Sequence, residues 1–345
     1  MGNNNLTKYR FSFGPWNIHS GQDLFGPATR KEFSFMEKIK VYRKLGFEGV
    51  QFHDDDIVDV SLPFVTMIKK VKAVKNILEK EGLEPEFVAP RLWEHPFTID
   101  GGSTSNNPKE RQYAIDRSKK AIDIAREIGT KRIVLWPARE GTYIREAKDP
   151  VTAINRMVEY VNALLEYDSE ILILGEMKPN EPMDTTFCPT TGHFVALSYR
   201  TVAPDRVGVL VESAHAILAG LDPSEEMAFA ISHNKLWGVH LNDQNGLKFD
   251  EDKSFGSVNL RRAFNQVFVL EKGGYGKNGE FIGLDVKAMR TQKKEVSFKH
   301  LENSRKIFLE LVKVVRSLDE KKVEEYRKSR DYEGLDMYIV SKLMR

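Results

Sequence analysis

Carboxylates and imidazoles recur in this sequence at the ends of short apolar runs. Phe52-His53-Asp54-Asp55-Asp56 closes one run, Glu176-Met177-Lys178 a second and Glu212-Ser213-Ala214-His215 a third. His240-Leu241-Asn242-Asp243 closes a fourth, with Asp250-Glu251-Asp252 in the loop behind it, and Asp285-Val286-Lys287 closes a fifth. Gathered on one surface, these acids would repel one another and be costly to bury, unless a divalent cation supplied the counter-charge. Glu212 and His215 share a face if the chain turns helical between them, and Asp250 and Asp252 point the same way from an extended loop. Two ligand sets follow. Glu176, Glu212, His240 and Asp285 form the first; Glu212, His215, Asp250 and Asp252 form the second, with Glu212 bridging. Mixed oxygen and imidazole donors suit Mg, Mn or Co. Taken singly, the pieces are weak. An Asp-Asp-Asp run is commonly a turn and helix cap, Asp250 and Asp252 commonly a solvated loop, and Glu212 with His215 is as easily a salt bridge. Trp16, Trp93 and Trp136 near run ends are more often rim packing than a ligand wall. The ordered set is what carries weight.

The runs themselves are the elements that must position these groups. Arg10–Pro15, Gly49–His53, Pro85–Pro90, Arg132–Trp136, Ile171–Glu176, Val207–Val211, Leu236–Leu241 and Phe281–Val286 read as eight buried parallel strands. Amphipathic stretches separate them, near 34–45, 63–81, 107–128, 150–167, 191–200, 223–231, 258–271 and 298–317. Eight strand-then-helix units predict an α/β fold, a (β/α)8 TIM barrel, whose active site lies at the C-terminal ends of the strands. An open doubly wound sheet is the runner-up, weakened by the lack of a glycine-rich phosphate turn after the first strand. The expected organisation is a barrel domain over 1–317 and a short charged helical tail over 318–345.

Composition excludes other classes. Lysine and arginine total 52 against 50 aspartates and glutamates, so the net charge is +2 and gives no footprint for nucleic acid. One cysteine cannot form an internal disulfide, which favours a reducing, cytoplasmic setting. The apolar runs are too short to cross a membrane, and the polar start MGNNNLTKYRF lacks a signal peptide's core.

Several strings resemble the xylose isomerase family, metal-dependent aldose–ketose isomerases. They are FSFGPW (11–16), DLFG (23–26), FHDDD (52–56), GGSTSNN (101–107), VLWPAREG (134–141), EMKPNEP (176–182), VESAH (211–215), NDQNGLKFDED (242–252) and LDVKAMRT (284–291). The resemblance runs from about residue 11 to about 308. It implies that His53 and Asp56 open the sugar ring, that Lys178 polarises the substrate carbonyl, and that Trp16, Trp93 and Trp136 form an apolar wall. It further implies that Phe25 enters a neighbouring subunit's site, that Asn242 lies beside the ligands, and that two divalent metals are held by the sets above. The implied reaction is ring opening and then a 1,2-hydride shift.

One departure from that family matters: His240 stands where an aspartate is usual, as in rhamnose isomerases and related epimerases. A neutral imidazole removes one negative charge and shifts preference from Mg toward Mn, Co or another transition metal. With the charged string Pro90-Arg91-Leu92-Trp93-Glu94, it keeps a second reading open, a lyase or epimerase acting on an oxidised sugar or glycoside by proton abstraction, as in C-glycoside-cleaving complexes. The expected partner is a small sugar, and the expected assembly a homodimer or homotetramer; the second reading adds a possible partner subunit.

Overall fold

The computed structural model describes residues 8–23 and 26–344. All eight apolar runs form parallel strands: β1 Arg10–Phe13, β2 Gly49–His53, β3 Glu84–Ala89, β4 Arg132–Leu135, β5 Leu172–Glu176, β6 Val207–Glu212, β7 Leu236–Leu241 and β8 Phe281–Leu284. They close in the order β1-β8-β7-β6-β5-β4-β3-β2, so first and last strands are paired, Arg10 against Phe281 and Phe13 against Leu284. Helices follow each strand: α1 Phe35–Leu45, α2 Phe64–Glu81, α3 Pro108–Ile128, α4 Pro150–Tyr167, α5 Thr191–Ser198, α6 Pro223–Ser232, α7 Leu260–Gly273 and α8 Lys299–Arg316. This is the (β/α)8 barrel that the alternation predicts. Two tail helices, α9 Glu320–Ser329 and α10 Tyr332–Leu343, come last, and Leu335, Tyr338, Ile339 and Leu343 pack against the main core.

Local sequence sets the helix ends. Asn107 caps α3 by accepting from the Lys109 N–H, with Pro108 in the first turn, and Gly129 ends the helix at φ 113°. Ser34 and Glu37 form a reciprocal capping box on α1. The main apolar core lies between strands and helices, where alternate strand residues such as Val50, Phe52, Ile133, Ile173 and Val239 are buried. Phe87, Ala89, Val134, Leu174 and Leu210 make a separate, smaller cluster with Trp16 and Trp237 against it. No helix among the described residues is long and apolar enough to cross a membrane.

The loop after β1 is pinned from beneath. His300, on α8, donates from Nε2 to the Asn17 carbonyl at 2.9 Å, and Asn17 passes its side chain to Asp285 Oδ1 and the Val286 N–H. Burial lowers the His300 pKa from 6.5 to about 4, against the opposing pull of that hydrogen bond. A histidine depressed on folding stabilises above its unfolded pKa, and that stability is lost as pH falls through the folded one. Between pH 6.5 and about 4 this site alone should remove about 3 kcal/mol. Urea titrations at pH 7 and pH 4 check it: His300→Gln should flatten the decline by about one proton's worth. Equal slopes for the two proteins would refute it.

Candidate active site

The C-terminal strand ends surround a cavity of about 440 Å³. His53 ends β2, Glu176 ends β5 and Glu212 ends β6, while His240 is the penultimate residue of β7 and Asp285 follows β8. A short helix, Ser213–Leu218, begins directly after Glu212. The chain thus turns helical where the spacing requires it, and His215 Nε2 lies 3.3 Å from Glu212 Oε1.

Two donor groups share Glu212. Glu176, Glu212, His240 and Asp285 lie close enough to hold one ion; Glu212, His215 and Asp250 lie close enough to hold another. His240 Nδ1 is 2.9 Å from Glu176 Oε1 and 3.6 Å from Glu212 Oε2. His215 Nε2 is 3.2 Å from Asp250 Oδ2. Asp252 takes a different position. It is paired with Lys287 and accepts from Asn242 Nδ2 at 3.1 Å, outside the Glu212–His215–Asp250 group. Asn242 is buried behind the acids: Nδ2 also donates to Glu212 Oε1 at 2.9 Å, and Oδ1 accepts from the Ala214 N–H at the start of the short helix.

The electrostatics fit a cation site. Burial first, then neighbouring acids, raise Glu212, Asp252 and Asp285. Burial would raise Asp250 too, but His215 and Lys178 hold it well down. Burial is likewise overcome at Glu176, which His240 lowers. Glu212 Oε2, His215 Nδ1 and Asp250 Oδ1 are buried without any hydrogen-bond partner. Buried polar atoms are normally satisfied, so the two orphaned carboxylate oxygens in this cluster of oxygen and imidazole donors match divalent-metal ligands; His215 turns Nε2, not the orphaned Nδ1, toward them.

The remaining wall residues complete the cavity. His53 Nδ1 lies 3.0 Å from Asp56 Oδ2, which also accepts the His53 backbone N–H. Trp16 packs on His53 at 4.2 Å between ring centres, Trp93 meets His53 at 5.2 Å, and Trp93 meets Trp136 at 4.7 Å. Trp16 Nε1 also donates to Asp285 Oδ1 at 2.9 Å. Lys178 Nζ donates to Glu181 at 2.9 Å and Asp250 at 3.0 Å, and sits 5.4 Å from the Trp136 ring centre. Phe25 lies outside the described residues.

Four further residues have roles that strand-end reasoning did not assign. Arg91, from the charged string after β3, reaches Asp55 at 2.8 Å and places Nη2 2.8 Å from His53 Nδ1. Lys287 neutralises Asp252, and Glu181 accepts from both Lys178 and the Asp250 N–H. Gln51 reaches His240 from across the barrel. Arg91 and Lys287 carried a signal, being charged residues beside strand ends; Gln51, inside a strand, carried none.

A family model described as xylose isomerase-like TIM barrel matches residues 39–272. Among solved structures, a D-tagatose 3-epimerase-like protein is similar at TM-score 0.64 and 16% identity, over 89% of this chain and 98% of that one. The apo form of the 3-keto-D-glucoside 4-epimerase YcjR from E. coli is similar at TM-score 0.61 and 13% identity, over 87% and 100%. IOLI protein with a bound zinc atom is similar at TM-score 0.60 and 13% identity, over 90% and 100%. At these identities the likeness is one of fold.

Proposed function

Since the chain belongs to the xylose isomerase-like TIM barrel family, we propose that it is a metal-dependent aldose–ketose isomerase acting on a small free sugar. The observation that carries this reading is Glu212, shared by two donor groups in the same cavity as Lys178 and as His53, which Asp56 contacts. The cavity's acids outnumber its lysines and arginine, and two divalent ions would bring it near neutrality, which suits an uncharged polyol.

Divalent metal held by Glu176, Glu212, His240 and Asp285, and by Glu212, His215 and Asp250, would supply Lewis-acid polarisation and a template for substrate oxygens. The chain's own groups do the rest. Asp56, kept ionised by His53 and Arg91 although burial opposes it, fixes the ring of His53 and leaves its Nε2 to exchange a proton with the sugar's ring oxygen or anomeric hydroxyl. Lys178, held protonated by Asp250 and Glu181 despite burial, donates a hydrogen bond to the carbonyl oxygen of the opened sugar. Trp16, Trp93 and Trp136 exclude water, which favours a hydride shift between C1 and C2 over exchange with solvent.

His240 in the first group supports a second reading, proton abstraction beside a carbonyl, as in an epimerase or lyase; two of the structural relatives are a sugar epimerase and an epimerase-like protein. An aldose deuterated at C2 separates the two. Retention of the label in the ketose is the expected result. Complete washout into solvent would sink the hydride shift and favour the second reading.

A further inference from the structure

Inside the barrel, a polar chain runs from β3 to the candidate ligand on β7. Glu86 Oε2 accepts from Ser12 Oγ at 2.5 Å and from Gln51 Nε2 at 3.0 Å. Gln51 Oε1 in turn lies 3.1 Å from His240 Nε2. All four residues are buried. Strands β2 and β7 are not neighbours, since β1 and β8 stand between them, so the Gln51–His240 contact crosses the interior. A register shift explains how Glu86 joins it. Val50 pairs with Pro85 and Gln51 with Phe87, leaving Glu86 as the extra residue of a bulge, a device that re-aims a side chain. Gly283 makes the room: a Cβ there would lie 2.6 Å from Gln51 Nε2 and 3.2 Å from His240 Cδ2.

For the neutral imidazole that a metal ligand must be, the hydrogen-bond logic has one solution. A carboxylate only accepts, so the Gln51 group facing Glu86 is its NH₂. Its carbonyl oxygen then faces His240, so the hydrogen of a neutral His240 sits on Nε2. The Nδ1 lone pair is thereby left toward Glu176 and Glu212. Resting on the reading of His240 as a ligand, we propose that Gln51 and Glu86 are positioning residues that present His240 Nδ1 to the first metal. They would make an imidazole work at a strand position where the resembling isomerases carry a carboxylate.

The test is Mn(II) titration of the metal-stripped protein, with free ion counted by electron paramagnetic resonance. His240→Ala first identifies the His240-dependent ion. Gln51→Leu should weaken that ion about 10- to 100-fold, the usual cost of removing a partner that orients a metal-bound histidine. Glu86→Leu should do the same, whereas Glu86→Gln, which still offers an accepting oxygen, should hold affinity within about threefold. Long-range ¹H–¹⁵N spectra of the wild-type protein loaded with diamagnetic Zn(II) give a readout that needs no variant to fold, and should show the His240 hydrogen on Nε2. Unchanged Mn(II) affinity in folded Gln51→Leu, or a hydrogen on Nδ1 with Nε2 bare, overturns the positioning role. No effect of His240→Ala on Mn(II) binding instead overturns the ligand reading beneath it.

Discussion

Glu212→Gln should leave a folded barrel that has lost tight binding at both metal groups and turns over its best sugar on the order of 10⁴-fold more slowly. Glu212 is the only residue common to the two groups, and Oε2 is buried without a hydrogen-bond partner. An amide there gives up the charge and puts an N–H donor on one of the two positions facing the sites. The contrast is Asp250→Asn, which touches only the group with His215 and should cost one equivalent of metal. Elemental analysis after reconstitution with Mn(II) counts equivalents per chain, and steady-state turnover follows on the same samples. If Glu212→Gln keeps two equivalents, the shared-ligand arrangement is wrong. If it keeps full turnover with none, the proposed chemistry is wrong.

The second large effect is on stability. Asp54 is wholly buried and meets Arg117 in a two-pronged pair, Nε to Oδ2 and Nη2 to Oδ1, each 2.9 Å. Oδ1 also accepts the backbone N–H of Asp55 and of Arg91, so one carboxylate ties α3 to the loops after β2 and β3. Arg117→Met leaves that charge buried without its counter-ion, which should cost about 3–5 kcal/mol. The double change Arg117→Met with Asp54→Asn should recover part of the loss, because the uncompensated charge is gone. Urea unfolding at pH 7 measures both. A single-variant cost under about 1 kcal/mol would show that the pair is not structural. Since Asp56 sits in the same short helix, Asp54–Ile57, the single change should also loosen its contact with His53.

How far the sequence could be read differs between fold and site. The eight strands were visible because each is a short β-branched or aromatic run between polar turns, and the helices because their caps are local, as at Asn107-Pro108 and Gly129. The donor groups were visible where the chemistry sits at a strand end and the spacing is short, as for Glu212 and His215. What escaped was set by partners far apart in the chain. The pairing of Asp252 with Lys287 depends on the loop from 242 to 253, which an antiparallel bridge between Asp243 and Lys253 closes, and Asp252 itself takes φ 46°. The role of Gln51 depends on a bulge one strand away, and Arg91 finds His53 and Asp55 only because β2 and β3 pair side by side. Such contacts carry no periodicity.

The interior hydrogen bonds also bear on how the barrel closes. Ser12, Gln51, Glu86 and His240 belong to β1, β2, β3 and β7, half of the strands. Sliding any of them by one residue turns its side chains to the opposite face. Aliphatic residues fill both faces of most strands here, so greasy packing alone discriminates poorly between neighbouring alignments. The polar chain discriminates well, because each donor or acceptor stranded in the interior costs about 1–3 kcal/mol. A mis-threaded closure would strand several at once. The groups proposed to hold His240 in place therefore also favour one strand alignment, the one that brings the proposed metal ligands together.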